Sequence, residues 1–253
     1  MDIVSLSDRP DLIEDIFDDR FKSLWPAFIS HSETAKLYFA PWMFDQYRDY
    51  AFAGLVKGRT VARIFTIGFS FDSPNRRELP DGGWDQAIRW GNEDKVIGRS
   101  PDALCALDIT ILPEMQGKGH AMKIIHHLKS VAKNRGLKHF FVPLRPSEKK
   151  NSPDIDLLSY ISLKGDDGYP IDPWLRTHIR AGGHIMGIAP YSMTIVGTVA
   201  EWEKWTCQEI RSSGHMVVEG GLNPLYVSIE HNQAVYVEPN VWIKHPISTY
   251  SSY

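Results

Sequence analysis

A single mixed α/β domain is predicted by three features of this sequence. Hydrophobic residues make up 43 % of the 253 residues, enough material for one large core. A strand, a glycine-bearing turn, a helix and a second strand follow one another over residues 104–144. Strand-like runs continue on both sides of this unit, with no internal repeat, low-complexity tract or evident linker to divide the chain.

In chain order, residues 3–7 suit a short strand. Asp8–Leu24 reads as an amphipathic helix, because Ile13, Ile16, Phe17, Phe21 and Leu24 recur at helical spacing. A second helix is expected within Pro26–Tyr50. Ala51–Val56 and Thr60–Phe71 form two strands joined by a tight turn at Lys57-Gly58-Arg59. Residues 72–103 are rich in Pro, Gly, Asp, Asn and Arg and read as a long insertion with one short helix near Trp84–Trp90. Leu104–Leu112 is a strand, Met115–Gly119 a turn, His120–Arg135 a helix stopped by Gly136, and Lys138–Leu144 the next strand. Residues 145–180 are irregular and polar again, with a short helix after Asp172-Pro173. Ala181–Ala200 contains no Asp, Glu, Lys or Arg. Its glycines and Pro190 break it, so two buried strands, His184–Ala189 and Met193–Val196, explain it better than a membrane span. Thr198 and Glu201 have the spacing of a capping box for a helix over Ala200–Thr206. Strands at Met216–Glu219, Leu225–Glu230 and Ala234–Ile243 make the 207–253 segment a strand-rich extension.

The formal net charge of −3 and the pI near 6.4 disfavour a general nucleic-acid or anionic-membrane partner, which needs a basic footprint. The two cysteines, Cys105 and Cys207, form no metal-ligand spacing, and no metal is expected. The opening Met1-Asp2-Ile3-Val4 lacks the basic start of a signal peptide, so a reducing cytoplasm is the expected location.

The informative motif is Ile111-Leu112-Pro113-Glu114-Met115-Gln116-Gly117-Lys118-Gly119-His120-Ala121. It follows a strand and opens a helix. Amides at a helix N-terminus lack partners and carry the positive end of the dipole. Glycines let that backbone approach a bulky anion, so Gln116, Gly117, Gly119, His120 and Ala121 are placed to cradle a pyrophosphate, with Lys118 and Lys123 adding charge. The spacing is neither a Walker loop nor G-x-G-x-x-G.

Gln116-x-x-Gly119-x-Ala121 resembles the [Q/R]-x-x-G-x-[G/A] signature of the GNAT acyltransferase superfamily, and residues 50–71 and 104–144 resemble its core. The resemblance implies a central V-shaped mixed sheet flanked by helices, with enlarged acceptor-side segments at 72–103 and 145–180. It implies an acyl donor, a coenzyme A thioester or a carrier-bound phosphopantetheine thioester. The donor's arm would lie along the 104–112 strand past Ile111 and Leu112, with its pyrophosphate on the amides of Gln116–Ala121. The acceptor would be a small molecule or a carrier protein, attacking directly through an amine or a thiol. Leu79–Trp84, Arg145-Pro146-Ser147, Asp172–His178 and Ser192–Trp202 look like the GNAT-like domains of polyketide synthase loading modules. In that group a hydroxyl residue and a histidine decarboxylate malonyl-CoA. Motif position matches Ser147 to the hydroxyl, usually Thr, and His178 to the histidine.

His178, with a near-neutral ordinary pKa, is the catalytic candidate for proton transfer. Ser147 follows a strand where it would bond the thioester oxygen, and Tyr191 sits in a bend from which it would protonate a leaving thiolate. Asp108 and Glu114 flank the donor strand as alternative bases. Three functions follow: acyl transfer, malonyl-CoA decarboxylation, or a non-catalytic CoA- or carrier-binding module.

Overall fold

The computed structural model describes residues 1–247, with only the backbone of Pro41, so the last six residues of the expected 207–253 extension lie outside the described residues. Among the described residues one mixed sheet of nine strands runs through the molecule. β1 is Asp2–Ser5, β2 Ala51–Val56 and β3 Arg59–Phe69, followed by β4 Ala103–Ile111 and β5 His139–Leu144. β6 is His184–Gly197, β7 Gly214–Met216, β8 Leu225–Ser228 and β9 Gln233–His245. Along the sheet the order is β1-β2-β3-β4-β5-β9-β8-β7, with β6 paired to β9.

The sheet is split between β4 and β5. These parallel strands pair only at Ala103↔His139, Leu104↔Phe140 and Cys105↔Phe141, and then part. A parallel pair needs a crossover, which helix His120–Asn134 supplies. β9 is the spine of the second arm. β6 runs along one edge of it from Ala234 to Lys244, so β5 (at Val241–His245) and β8 (at Gln233–Val235) share the other edge. The 207–253 segment is therefore not a peripheral extension: its last strand joins the two arms.

One face of the sheet carries the crossover helix and helix Pro173–Arg180, around Leu104, Ala106, Ile124, Ile125, Leu128, Phe140, Leu175 and Ile243. The other face carries residues 10–50 and helix Gly83–Val96, around Tyr38, Phe44, Phe65, Trp84, Ile88, Cys105 and Leu107. We number the principal helices α1 (Gly83–Val96), α2 (His120–Asn134), α3 (Leu157–Ser162), α4 (Pro173–Arg180) and α5 (Val199–Thr206).

Three elements differ from expectation, each for a local reason. The helix expected over Asp8–Leu24 is broken into turns at Pro10–Leu12, Ile13–Ile16 and Asp19–Lys22. Asp18 is extended and accepts from the Arg20 amide, starting a new turn where a continuous helix would run. Residues 26–50 likewise form four short α and 3₁₀ turns, with a proline at the first position of Pro41–Phe44. The insertion at 72–103 contains α1, a 14-residue helix packed on the sheet. Gly91 permits that contact, since a Cβ there would meet Ile67 Cδ1 at 2.3 Å. The charge-free stretch 181–200 is one long strand, β6, with its register interrupted between Ala189 and Met193 and much of its length exposed. The capping box formed: Thr198 and Glu201 satisfy each other's amides ahead of α5.

Cys105 is fully buried and Cys207 exposed, and both are free. Burial pushes the Cys105 thiol far up, away from the reactive thiolate form. A thiol-alkylating reagent should therefore modify one site in the native chain and two after denaturation. Rapid native labelling of Cys105 would show that this core opens.

Candidate functional site

The tip of β4 and the start of α2 form the end at which the sequence motif expects the donor. α2 exists because Ile124, Ile125, Leu128 and Ala132 share one buried face, and it stops at Arg135 before Gly136, whose φ is +68°. Its N-terminus differs from that of α4 and α5. Asp172 caps α4 and Thr198 caps α5, but Gly119 caps α2 with no side-chain hydrogen bond. Gly119 (φ +77°) and Gly117 (φ +71°) both lie in the left-handed region, and a Cβ on either would project into open space. The first-turn amides of a 15-residue helix thus face outward over two glycines. This is where the sequence motif places its expected phosphate cradle.

Side chains around it hold the turn and supply charge. Gln116 Nε2 donates to the Ile111 carbonyl at 2.9 Å, tying the loop to the strand end. Lys118 Nζ donates to the Glu114 carbonyl at 2.8 Å, and Glu114 pairs with Arg59 at 3.2 Å. His120 is held below the ordinary imidazole range, first by burial and then by the cations of the N-terminus, Lys118 and Lys123. This end of the molecule is locally positive although the chain is slightly acidic.

Where the arms part, β4 bulges. Thr66 pairs with Ala106 and Phe65 with Asp108, leaving Leu107 as the extra residue. The Leu107 carbonyl is taken by the Trp84 indole, which donates from α1 at 2.9 Å. From the bulge a polar chain runs across the mouth of the split. Asp108 pairs with Arg63 at 2.8 Å and accepts from the Thr110 hydroxyl, and Trp25 Nε1 donates to Thr110 at 3.0 Å. The Trp25 ring lies 5.9 Å from the Arg145 guanidinium, which donates to both Glu238 oxygens at 3.0 Å. Tyr236 and Asn240 also donate to Glu238, Ser192 donates to Asn240, and the Trp84 amide donates to Ser192. The chain of contacts thus begins and ends beside the bulge and links both arms. Burial pulls the Arg145 guanidinium down, but Glu238 and Tyr236 outweigh it and hold it above the ordinary value.

Of the residues expected to act on substrate, Ile111, Leu112, Gln116, Gly117, Lys118, Gly119, His120, Ala121 and Lys123 are gathered at the strand tip and α2 N-terminus. His178, Ser147 and Tyr191 are not gathered. His178 is 0 % exposed, its Nδ1 lies 2.9 Å from His245 Nε2, and Trp174 packs edge-on against it. It packs α4 onto β9 beside His245, and its Nε2 has no hydrogen-bond partner. Ser147 Oγ is engaged with Asp172 at 3.5 Å, and six residues of helix, about 9 Å of rise, separate Asp172 from His178. Tyr191 is 51 % exposed on β6, across β9 from β5. Asp108, by contrast, stands at the bulge itself. The polar chain, with hydrogen-bonded partners up to 108 residues apart, left no local trace in the sequence. Among the described residues no group of three or more His, Cys, Asp or Glu is placed to hold a metal ion. No helix among them is long and apolar enough to cross a membrane.

The His178–His245 pair makes the fold pH-sensitive. Burial pushes His178 well below 6.5, His245 adding to the effect, and burial pushes His245 down to about 4. The unfolded chain then binds more protons than the folded one as pH falls from about 6.5 to about 4, so stability is complete above that window and is lost within it. Asp85, pushed up to about 6 by burial, opposes this, while His31, His120 and His127, each lowered first by burial, add to it. Thermal melts should show the midpoint falling through the window, and His178→Leu should flatten the fall. A midpoint that does not move between pH 7 and 4.5 contradicts it.

A split sheet with a glycine-flanked helix N-terminus at the tip of one arm is the arrangement that the resemblance of the sequence motif implies. The comparisons agree. The chain is 32 % identical to the arginine N-acetyltransferase avaD of Aspergillus versicolor, over 94 % of this chain and 91 % of that one. Its fold is similar to the loading GNATL domain of CurA from Lyngbya majuscula, with a TM-score of 0.59 at 16 % identity and 97 % of each chain covered. No protein-family model matches the chain. The chain belongs to the GNAT acyltransferases and is an enzyme of that superfamily.

Proposed function

We propose that the enzyme transfers a short acyl group from a coenzyme A thioester to the nitrogen of a small cationic amine, and that arginine is the acceptor to test first. The observation that carries the donor is the uncapped N-terminus of α2 at the tip of β4. In this reading the amides from Gly117 to Ala121 bind the pyrophosphate, with Lys118, Lys123 and the N-terminal field beside them. The pantetheine arm enters the split between β4 and β5 past Ile111 and Leu112, and the thioester reaches the bulge at Leu107. The acceptor comes from the opposite face, where residues 20–50 and α1 lie. The relative's arginine N-acetyltransferase activity supports the choice of acceptor. The acceptor nitrogen attacks the thioester directly, in a ternary complex. A coenzyme A donor and two free cysteines suit the reducing cytoplasm.

Malonyl-CoA decarboxylation, implied by the narrower resemblance, would need His178 at the substrate, and His178 is buried beside His245. A carrier-bound donor would use the same split but leave the pyrophosphate cradle empty. The test is release of free coenzyme A thiol from acetyl-CoA with and without arginine. Release that depends on arginine is the expected result. Conversion of malonyl-CoA without any acceptor would restore the decarboxylase reading.

A further inference from the structure

Asp85, Asp94, Asp108, Asp172 and Glu238 are the carboxylates buried among the described residues. Asp94 pairs with Arg76 and Arg99, Asp108 with Arg63, and Glu238 with Arg145. Asp172 has no cation but accepts the amides of Glu148, Trp174 and Leu175. Asp85 is held more loosely. It is 4 % exposed, its Oδ2 accepts the Thr194 amide at 3.2 Å, and its Oδ1 has no hydrogen-bond partner. Arg89, one turn on, favours the charge through space, but its Nη2 is donated to Thr34 at 3.2 Å. Burial outweighs Thr194, Arg89 and Thr34 and raises the Asp85 carboxyl to about 6, so it is ionised at neutral pH. A buried charge with an open acceptor is costly, and a fold that keeps one calls for a reason.

Its place supplies one. Asp85 lies in the first turn of α1, on the face from which the acceptor is proposed to come. It follows Trp84, whose indole holds the Leu107 carbonyl at the bulge and whose amide donates to Ser192 on β6. On β9, Tyr236, Glu238 and Asn240 alternate onto this same face, close enough that the Glu238 charge reaches Asp85. Glu238 is neutralised by Arg145 and already receives three side chains, so of these two carboxylates Asp85 is the one with an oxygen to offer. Arginine carries a guanidinium and an α-ammonium at opposite ends of its side chain. One nitrogen reacts, and the other cation has to be placed. We propose that Asp85 binds the cationic group of the acceptor that does not react, and so selects acceptors that carry a second cation. This rests on the transfer reaction proposed above. Oδ1 accepts an N–H of that cation while Oδ2 keeps the Thr194 amide. The acceptor thus brings the counter-charge that the free protein lacks, and the anchored end fixes where the reacting nitrogen points.

The experiment compares the wild type with Asp85→Asn in kcat and KM for arginine, in KM for acetyl-CoA, and in melting midpoint without substrate. The amide oxygen of Asn keeps the Thr194 bond and removes the charge. The variant should melt no lower than the wild type at neutral pH, because a buried charge without a counter-ion has gone. Its KM for arginine should rise by about 10–100-fold, the equivalent of one charge-assisted hydrogen bond, with kcat and the KM for acetyl-CoA nearly unchanged. Two analogues sharpen the reading. Citrulline keeps the α-amine and has a neutral urea in place of the guanidinium; arginine without its α-amine keeps the guanidinium alone. Whichever of them still accepts the acyl group has lost the second cation. The wild type should use it with a KM about 10–100-fold above that for arginine, and Asp85→Asn should use the two about equally. An arginine KM in Asp85→Asn equal to the wild type, or a preference for arginine that the variant keeps in full, overturns the role. A variant that melts lower yet binds arginine as the wild type does makes Asp85 a structural acid of the first turn of α1. No transfer to arginine by the wild type overturns the proposed reaction and the role of Asp85 with it; transfer by the wild type with an unaffected Asp85→Asn overturns only the role.

Discussion

Gly119→Val is expected to abolish donor binding while leaving the fold standing. Gly119 holds φ at +77° as the cap of α2, and a β-branched residue there costs roughly 1–2 kcal/mol of strain. Its side chain would also fill the open space above the first-turn amides, where the pyrophosphate is proposed to sit. At coenzyme A concentrations of about 100 times its dissociation constant, the wild type should gain about 2.7 kcal/mol of stability. For a chain of this size that is roughly 5–11 °C in melting midpoint. Gly119→Val should gain almost none of it, and kcat/KM for acetyl-CoA should fall by at least about 100-fold, the equivalent of that energy. Gly136→Val is the matched control, because Gly136 has φ +68° and open space but lies at the far end of α2. It should lose similar stability and keep the full shift with coenzyme A. Equal loss of the shift in both variants would mean that helix strain, not the cradle, governs binding.

The largest loss of stability is expected from Arg145→Met. Glu238 is 1 % exposed and receives Arg145, Tyr236 and Asn240. Removing the guanidinium leaves a buried carboxylate without its counter-charge. Such a break costs about 3–5 kcal/mol, or roughly 6–20 °C in melting midpoint for a chain this long. It also frees the Gly220 carbonyl, to which Arg145 Nη2 donates at 2.6 Å, and so loosens the 218–222 turn over the mouth of the split. Arg145→Met combined with Glu238→Gln should recover most of the midpoint, since the neutral amide keeps hydrogen bonds to its neighbours and buries no charge. A double variant no more stable than the single one would show that the pair is not the source of the loss. Chemical denaturation of the four chains measures this directly, as a double-mutant cycle.

The part of the molecule legible in the sequence is the part made by neighbours in sequence. β4, the glycine turn, α2 and β5 could be read because alternation, helical spacing and Gly136 all act within a few residues. The capping box ahead of α5 is local for the same reason. The N-terminal layer was misread because apolar spacing persists through a break: Ile16 and Phe21 are both buried although Asp18 restarts the helix between them. α1 was underestimated because its buried face carries Asp85 and Asp94 beside Trp84, Ala87 and Ile88. Asp94 is satisfied by Arg76 and Arg99, so a helix that looks irregular and polar packs into the core. The surroundings of the candidate catalytic residues were hidden for the same reason. His178 has the right chemistry, but its enclosure against His245 depends on a partner 67 residues away. Asp108 was visible on the donor strand, yet nothing local marked the bulge beside it or its ion pair with Arg63.

Mass spectrometry of the products from acetyl-CoA and arginine tests the central claim most directly. The account predicts acetylated arginine and free coenzyme A in equal amounts, with no acyl group on the protein at any time and no product from Gly119→Val. An acyl-protein adduct, or acetylated arginine made equally well by Gly119→Val, would contradict direct transfer from a donor held at the tip of β4.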